Sequence, residues 1–163
     1  MSRRMLLAAG LGLWMPLVWA GGSSCTPLDS VPVRYDVSFE VDIQPFLDVS
    51  AANGGCSNCH ISMSFGDLNL RFDVVRLNLL GEDGNGQPSA QDANRLRVAP
   101  GKPQNSLLFE KLNCDTPPVG QRMPPGSSGD NVELQALVHD WIALGAIFLD
   151  GDRVFLGTME SLR

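Results

Sequence analysis

Positive charge is scarce in this sequence. Lys and Arg together number 12 against 18 Asp and Glu, leaving a formal charge of −6, or −8 without Arg3 and Arg4. Nothing in such a chain neutralises a run of phosphates, which excludes nucleic acid as a partner. The acidic balance permits docking to a basic surface on another protein. Phosphate-cradling loops and nucleophile elbows are missing too: Gly84-Asn85-Gly86 has no strand-to-helix context and reads as a turn. Histidine is limited to His60 and His139, so candidates for metal ligation are quickly counted. What is present is a globular composition, 44% hydrophobic and 18% charged, in 163 residues. That is enough for one domain with an export segment.

The chemistry gathers at Cys56-Ser57-Asn58-Cys59-His60, preceded by Asn53-Gly54-Gly55. Cys-x-x-Cys-His is the attachment pattern of c-type haem. Two intervening residues place both sulfurs along one edge of a helical turn, at the separation of the two haem vinyl groups. His60 then falls under the porphyrin face as an axial ligand. A structural zinc site would need four ligands, and only His60 and the distant Cys114 can join the pair. A thiol redox motif would need a βαβ setting that the surrounding sequence lacks.

Met1 to Ala20 reads as a secretory signal: Arg3 and Arg4 form a basic start, Met5 to Trp19 is uncharged and apolar, and Val18-Trp19-Ala20 offers a cleavage site. Retention as a membrane anchor and lipidation at Cys25 stay open as alternatives. Residues 21–35 read as a linker, 36–146 as the main domain and 147–163 as a C-terminal extension. Within the domain the apolar pattern predicts a helix over about 40–52, starting near Ser38 and tolerating Pro45 close to its beginning. Phe72, Val75, Leu79 and Leu80 have helical spacing and stop at Gly81. Glu82 to Asp92 reads as a solvated loop. Asn105 or Ser106 caps a short helix from Leu107 to Leu112. Asp130, with Glu133 three residues on, opens the strongest helix, whose stripe is Leu134, Leu137, Val138, Trp141, Ile142 and Gly145. Two apolar runs around Asp150-Gly151-Asp152 suggest a β-hairpin.

An iron held by His60 has a sixth position. His139 lies off the apolar stripe on the face expected to be solvated. Met63 is too close to the motif to cross the haem plane, and Met159 lies near the terminus. Met123 stands in the loop Cys114 to Gly129, followed by Pro124 and Pro125, which restrict the backbone around it. A soft thioether aimed by a stiff loop suits iron, and His/Met ligation favours electron transfer over oxygen chemistry. The site expected is therefore Cys56, Cys59, His60 and Met123, with His60 and Met123 on the metal. If Met123 stays off the iron, the alternative is an open-site haem protein, peroxidase-like or gas-sensing.

The ordered set Gly55-Cys56-Ser57-Asn58-Cys59-His60, Val98-Ala99-Pro100-Gly101, Asn105-Ser106-Leu107-Leu108, Arg122-Met123-Pro124-Pro125-Gly126 and Trp141-Ile142-Ala143-Leu144-Gly145-Ala146 resembles a single-haem c-type cytochrome domain. It is most similar to the planctomycete- and myxobacterium-type cytochrome c domains that occur alone or fused to larger exported proteins. The likeness runs from Val37 to Ala146, about two thirds of the chain. It implies an all-α, class I-like fold with crossing N- and C-terminal helices. It also implies one haem c per chain, thioether links at Cys56 and Cys59, His60 proximal, Met123 distal, and Trp141 and Ile142 packing on the first helix and the haem edge. The function implied is single-electron transfer between redox partner proteins, without catalysis, in the periplasm or another exported location.

Cys25 and Cys114 are left over. In an exported protein a disulfide between them is expected, with lipidation of Cys25 as the competing fate.

Overall fold

The computed structural model describes residues 24–49, 55–126 and 131–148. The signal segment, the Asp130 cap, Met159 and the hairpin from 149 onward lie outside these residues. Among the described residues the chain is mostly helical, and β structure is confined to two isolated antiparallel bridges, Cys25 with Cys114 and Pro88 with Leu96. No helix among them is long and apolar enough to cross a membrane.

The first helical segment begins as the sequence suggests and ends sooner. Ser38 caps it, its Oγ accepting from the Val41 N–H at 3.3 Å, while Asp42 accepts the Ser38 N–H at 2.8 Å. Pro45 has no N–H to give to Val41, so the chain cannot run a regular α-ladder through this point. It winds instead as a π-helical turn, Phe39–Ile43, and then as α1, Gln44–Asp48. Val49 is already extended, so the helix expected to reach residue 52 stops earlier. One turn, α2, Ser57–His60, carries the cysteine motif.

Helix α3, Val75–Leu80, ends where Gly81 takes φ 73°, a conformation that favours glycine. Phe72, expected on its apolar face, lies before the helix and is 63% exposed. Helix α4, Leu107–Asn113, has Ser106 at its cap position, but the Ser106 hydroxyl is engaged elsewhere. It accepts the Ala99 N–H at 2.9 Å and donates to the Lys102 carbonyl at 2.9 Å, fastening the Pro100-Gly101 turn. Helix α5, Val132–Ala143, is capped by Asn131, whose side chain accepts the Leu134 N–H at 3.0 Å.

The core closes around α5. Leu134, Leu137, Val138, Trp141 and Ile142 are all buried, as their spacing requires. They meet Phe39, Ile43 and Leu47 from the first segment, Val75 and Leu79 from α3, and Phe109 and Leu112 from α4. Trp141 lies 4.8 Å from the Phe39 ring and 5.3 Å from Phe148, and its indole N–H donates to the Ile147 carbonyl at 2.9 Å. Each such side chain contributes about 1.5–3 kcal/mol on burial, so this contact between the first segment and α5 is a substantial part of the core. Cys25 and Cys114 form a disulfide spanning 89 residues. That bridge takes the Cys25 sulfur that lipidation would need.

Glu82 to Asp92 is not simply a solvated loop. Gly86 and Gln87 donate to the carbonyls of Leu80 and Leu79 at 2.8 and 3.0 Å, and Ser89 donates to Arg95 at 2.8 Å. A Cβ at Gly86 would stand 2.3 Å from the Val98 carbonyl, so glycine is what lets this segment lie against the body. The second half of the loop therefore turns inward.

Candidate functional site

The cysteine motif is set by a close approach of two backbones. Gly55 is buried, and a Cβ there would fall 2.0 Å from the Val49 carbonyl oxygen, which also accepts the Ser57 N–H at 3.1 Å. Glycine at this position is thus a packing necessity. From it the chain enters α2, with Cys59 and His60 donating to the Cys56 carbonyl at 3.2 and 2.9 Å. Leu70 N–H closes the turn onto the His60 carbonyl at 2.8 Å.

Beside this turn lies a cavity of about 150 Å³ that opens to the surface. Its walls are mainly apolar: Leu47, Leu70 and Leu79 on one side, and Leu107, Leu108 and Leu112 of α4 on the other. Cys56, His60 and Met123 all line it. Phe65 and Gly66 line it as well and are largely exposed, which places the 3₁₀ turn Phe65–Asp67 at the mouth. Met123 is held there by its N–H, which donates to the Lys111 carbonyl at 2.7 Å.

Not every expected residue comes to the cavity. Cys59 is half-buried and is not part of its wall. Trp141 and Ile142 pack in the core and are likewise absent from the wall. Met63 is 55% exposed. His139 faces a different groove, near Cys25, Asn113 and Asp140, with its Nδ1 2.9 Å from the Asp140 carboxylate and its ring edge-on to Phe109.

Burial favours the neutral forms of Cys56 and His60. Burial, with the neighbouring Cys59 adding to it, pushes the Cys56 thiol up to about 11. A disulfide oxidoreductase needs the opposite shift, toward thiolate. Burial pushes the His60 imidazole below its ordinary value; backbone groups of Leu68 and Phe65 oppose this, and the charges of Lys111 and Arg97 reinforce it. A neutral ring keeps a lone pair available for a metal. Its Nδ1 is buried, and among the described residues no group meets it in hydrogen-bond geometry. A buried, unpartnered nitrogen is costly in a finished core, and fits a ring whose surroundings are completed by a bound group. Among the described residues no three His, Cys, Asp and Glu side chains converge, so the four-ligand zinc alternative gains nothing here.

Four wall residues were not singled out in the sequence: Ser89, Gln91, Arg97 and Lys111. Arg97 is 7% exposed, and its guanidinium donates to the carbonyls of Asn78 at 2.9 Å and Asp67 at 2.7 Å. An arginine set between Leu96 and Val98 just before a Pro-Gly turn was the available cue. Lys111, its pKa lowered by burial, gave none. Comparison with family models, with curated proteins and with solved structures gives no match.

Proposed function

We propose that this chain is an exported single-haem c-type cytochrome that relays single electrons between redox partner proteins and transforms no substrate. Cys56 and Cys59 would carry the covalent links, His60 the proximal ligand and Met123 the distal one. The observation that supports this most strongly is convergence. Cys56, the cap of α2, and His60, its last residue, share one apolar cavity with Met123, which comes from the proline-rich loop that follows α4.

When bound, haem supplies a one-electron Fe(III)/Fe(II) couple whose potential the axial pair sets. The chain's own residues do the rest. The leucine walls exclude water, which strengthens every charge interaction inside. His60 offers a neutral ring, and Met123 a soft sulfur on a restrained backbone. Arg97 and Lys111 bring positive charge to the wall, which favours the reduced form of a bound metal. Phe65 and Gly66 leave one edge of the cavity at the surface, where an electron partner has access. Export, with a cleaved leader or an N-terminal tether, supplies the compartment in which both the haem links and the Cys25–Cys114 bridge form.

The test is a redox titration of protein produced with a c-type haem maturation system. A reversible one-electron Nernst curve followed in the haem spectrum is the expected result. A colourless product, or a coloured one that turns over peroxide through an open sixth position, would replace this reading.

A further inference from the structure

Residues 114–126 contain no helix, and the Lys111 carbonyl accepts the Met123 N–H. The residue before it does more. Arg122 turns its side chain away from the cavity and into the body, where only 10% of it stays exposed. Its Nη1 pairs with the Asp115 carboxylate, and its Nη2 donates to the Leu112 carbonyl at 3.2 Å and the Thr26 hydroxyl at 3.3 Å.

These partners surround one point. Asp115 follows Cys114, Thr26 follows Cys25, and Leu112 sits in the last turn of α4. The two chain segments are joined there by the disulfide and by the backbone bond from Thr26 N–H to the Asn113 carbonyl at 3.0 Å. Arg122 thus reaches both sides of the cross-link at once. A planar guanidinium fork can serve three acceptors in different directions, whereas an ammonium on a flexible stem cannot hold the same geometry. Because Arg122 and Met123 are adjacent, fixing the arginine limits how far the Met123 sulfur can swing.

We propose that Arg122 is a positioning residue for Met123, clamping the ligand loop to the disulfide corner of the domain. The proposal rests on the reading of Met123 as the distal ligand. A loop so clamped keeps the thioether at high local concentration against outside ligands. Loss of the clamp leaves the fold and the haem links in place and loosens only the sixth position.

Imidazole competition reads this directly in the ferric, haem-loaded full chain. Wild type should show the methionine-to-iron charge-transfer band and bind imidazole weakly. Met123→Ala should lack the band and bind imidazole far more tightly. Arg122→Gln should bind imidazole roughly tenfold more tightly than wild type, the scale set by losing hydrogen bonds of a charged group. Arg122→Lys should resemble Arg122→Gln rather than wild type. Thr26→Val removes one arm only and keeps the charge pair, so a gain of about threefold is expected, and it serves should Arg122→Gln fail to fold. Arg71→Gln, on the exposed Asp73 pair, is the control and should match wild type.

Wild-type imidazole affinity in both Arg122→Gln and Thr26→Val overturns the proposal while leaving Met123 as ligand. If wild type and Met123→Ala bind imidazole alike, the ligand reading itself fails, and the clamp falls with it.

Discussion

The N–H of Met123 donates to the carbonyl of Lys111 at 2.7 Å, so the proline-rich loop hangs from the last turns of α4. That helix also gives Leu107, Leu108, Lys111 and Leu112 to the cavity wall. The loop and the wall are therefore one mechanical unit, facing α2 across the cavity.

Removing the sulfur from this unit should change the iron and little else. Met123→Ala in the haem-loaded protein is expected to lose the methionine charge-transfer band and to lower the reduction potential, since His/Met ligation raises it. Met123 is only half-buried, so the melting temperature should change little. A spectroelectrochemical titration beside a thermal melt separates the two effects.

The Cys25–Cys114 bridge closes 89 residues of chain. In the chain-entropy account its loss costs about 4.6 kcal/mol. Denaturant titration with and without reductant, each sample alkylated afterwards to count thiols, should show a lower midpoint in the reduced protein. An unchanged midpoint would mean that the contacts at Thr26, Asn113 and Arg122 hold this corner without the bridge.

Before haem attachment, Cys56 should be a sluggish thiol. Burial raises its pKa from 9.0 to about 11, so the folded protein keeps this proton through that interval while the unfolded chain releases it. With fewer protons on the unfolded state, stability contributed by the neutral thiol is present below pH 9 and falls as pH rises toward 11. Alkylation of protein made without maturation, followed by peptide mapping, should show Cys56 reacting slowly at pH 8 and speeding up only near pH 11.

Trp141 joins the first and last helices. Trp141→Ala should cost about 3–5 kcal/mol, the range for a large buried aromatic. Trp141→Phe keeps the contact with Phe39 but leaves the Ile147 carbonyl without its indole donor, and should cost less. Urea unfolding followed by circular dichroism measures both.

Helix α5 was legible because five apolar residues at i, i+3 and i+4 admit one buried face, and each of them is buried. The first segment was legible at its start, where Ser38 caps it, and misjudged at its end. There Pro45 breaks the ladder and Val49 turns extended to meet Gly55. The cysteine motif and the odd setting of Met123 could be read from local sequence, since stiff or reactive residues stand out alone. The wall could not. Ser89 and Gln91 reach it because Gly86 lets a polar loop fold back onto Val98, and Lys111 reaches it through the pitch of α4. Those are tertiary facts with no local pattern. Ser106 shows the same limit in miniature: its position as a cap was readable, but its hydroxyl serves the Ala99–Lys102 turn.

The central claim is covalent haem at Cys56 and Cys59, and intact mass with a pyridine haemochrome spectrum tests it most directly. Protein produced with a maturation system should be heavier by one haem and give a c-type haemochrome. The Cys56→Ala, Cys59→Ala double variant should carry neither. A colourless chain in which both thiols remain open to alkylation after unfolding would contradict the account.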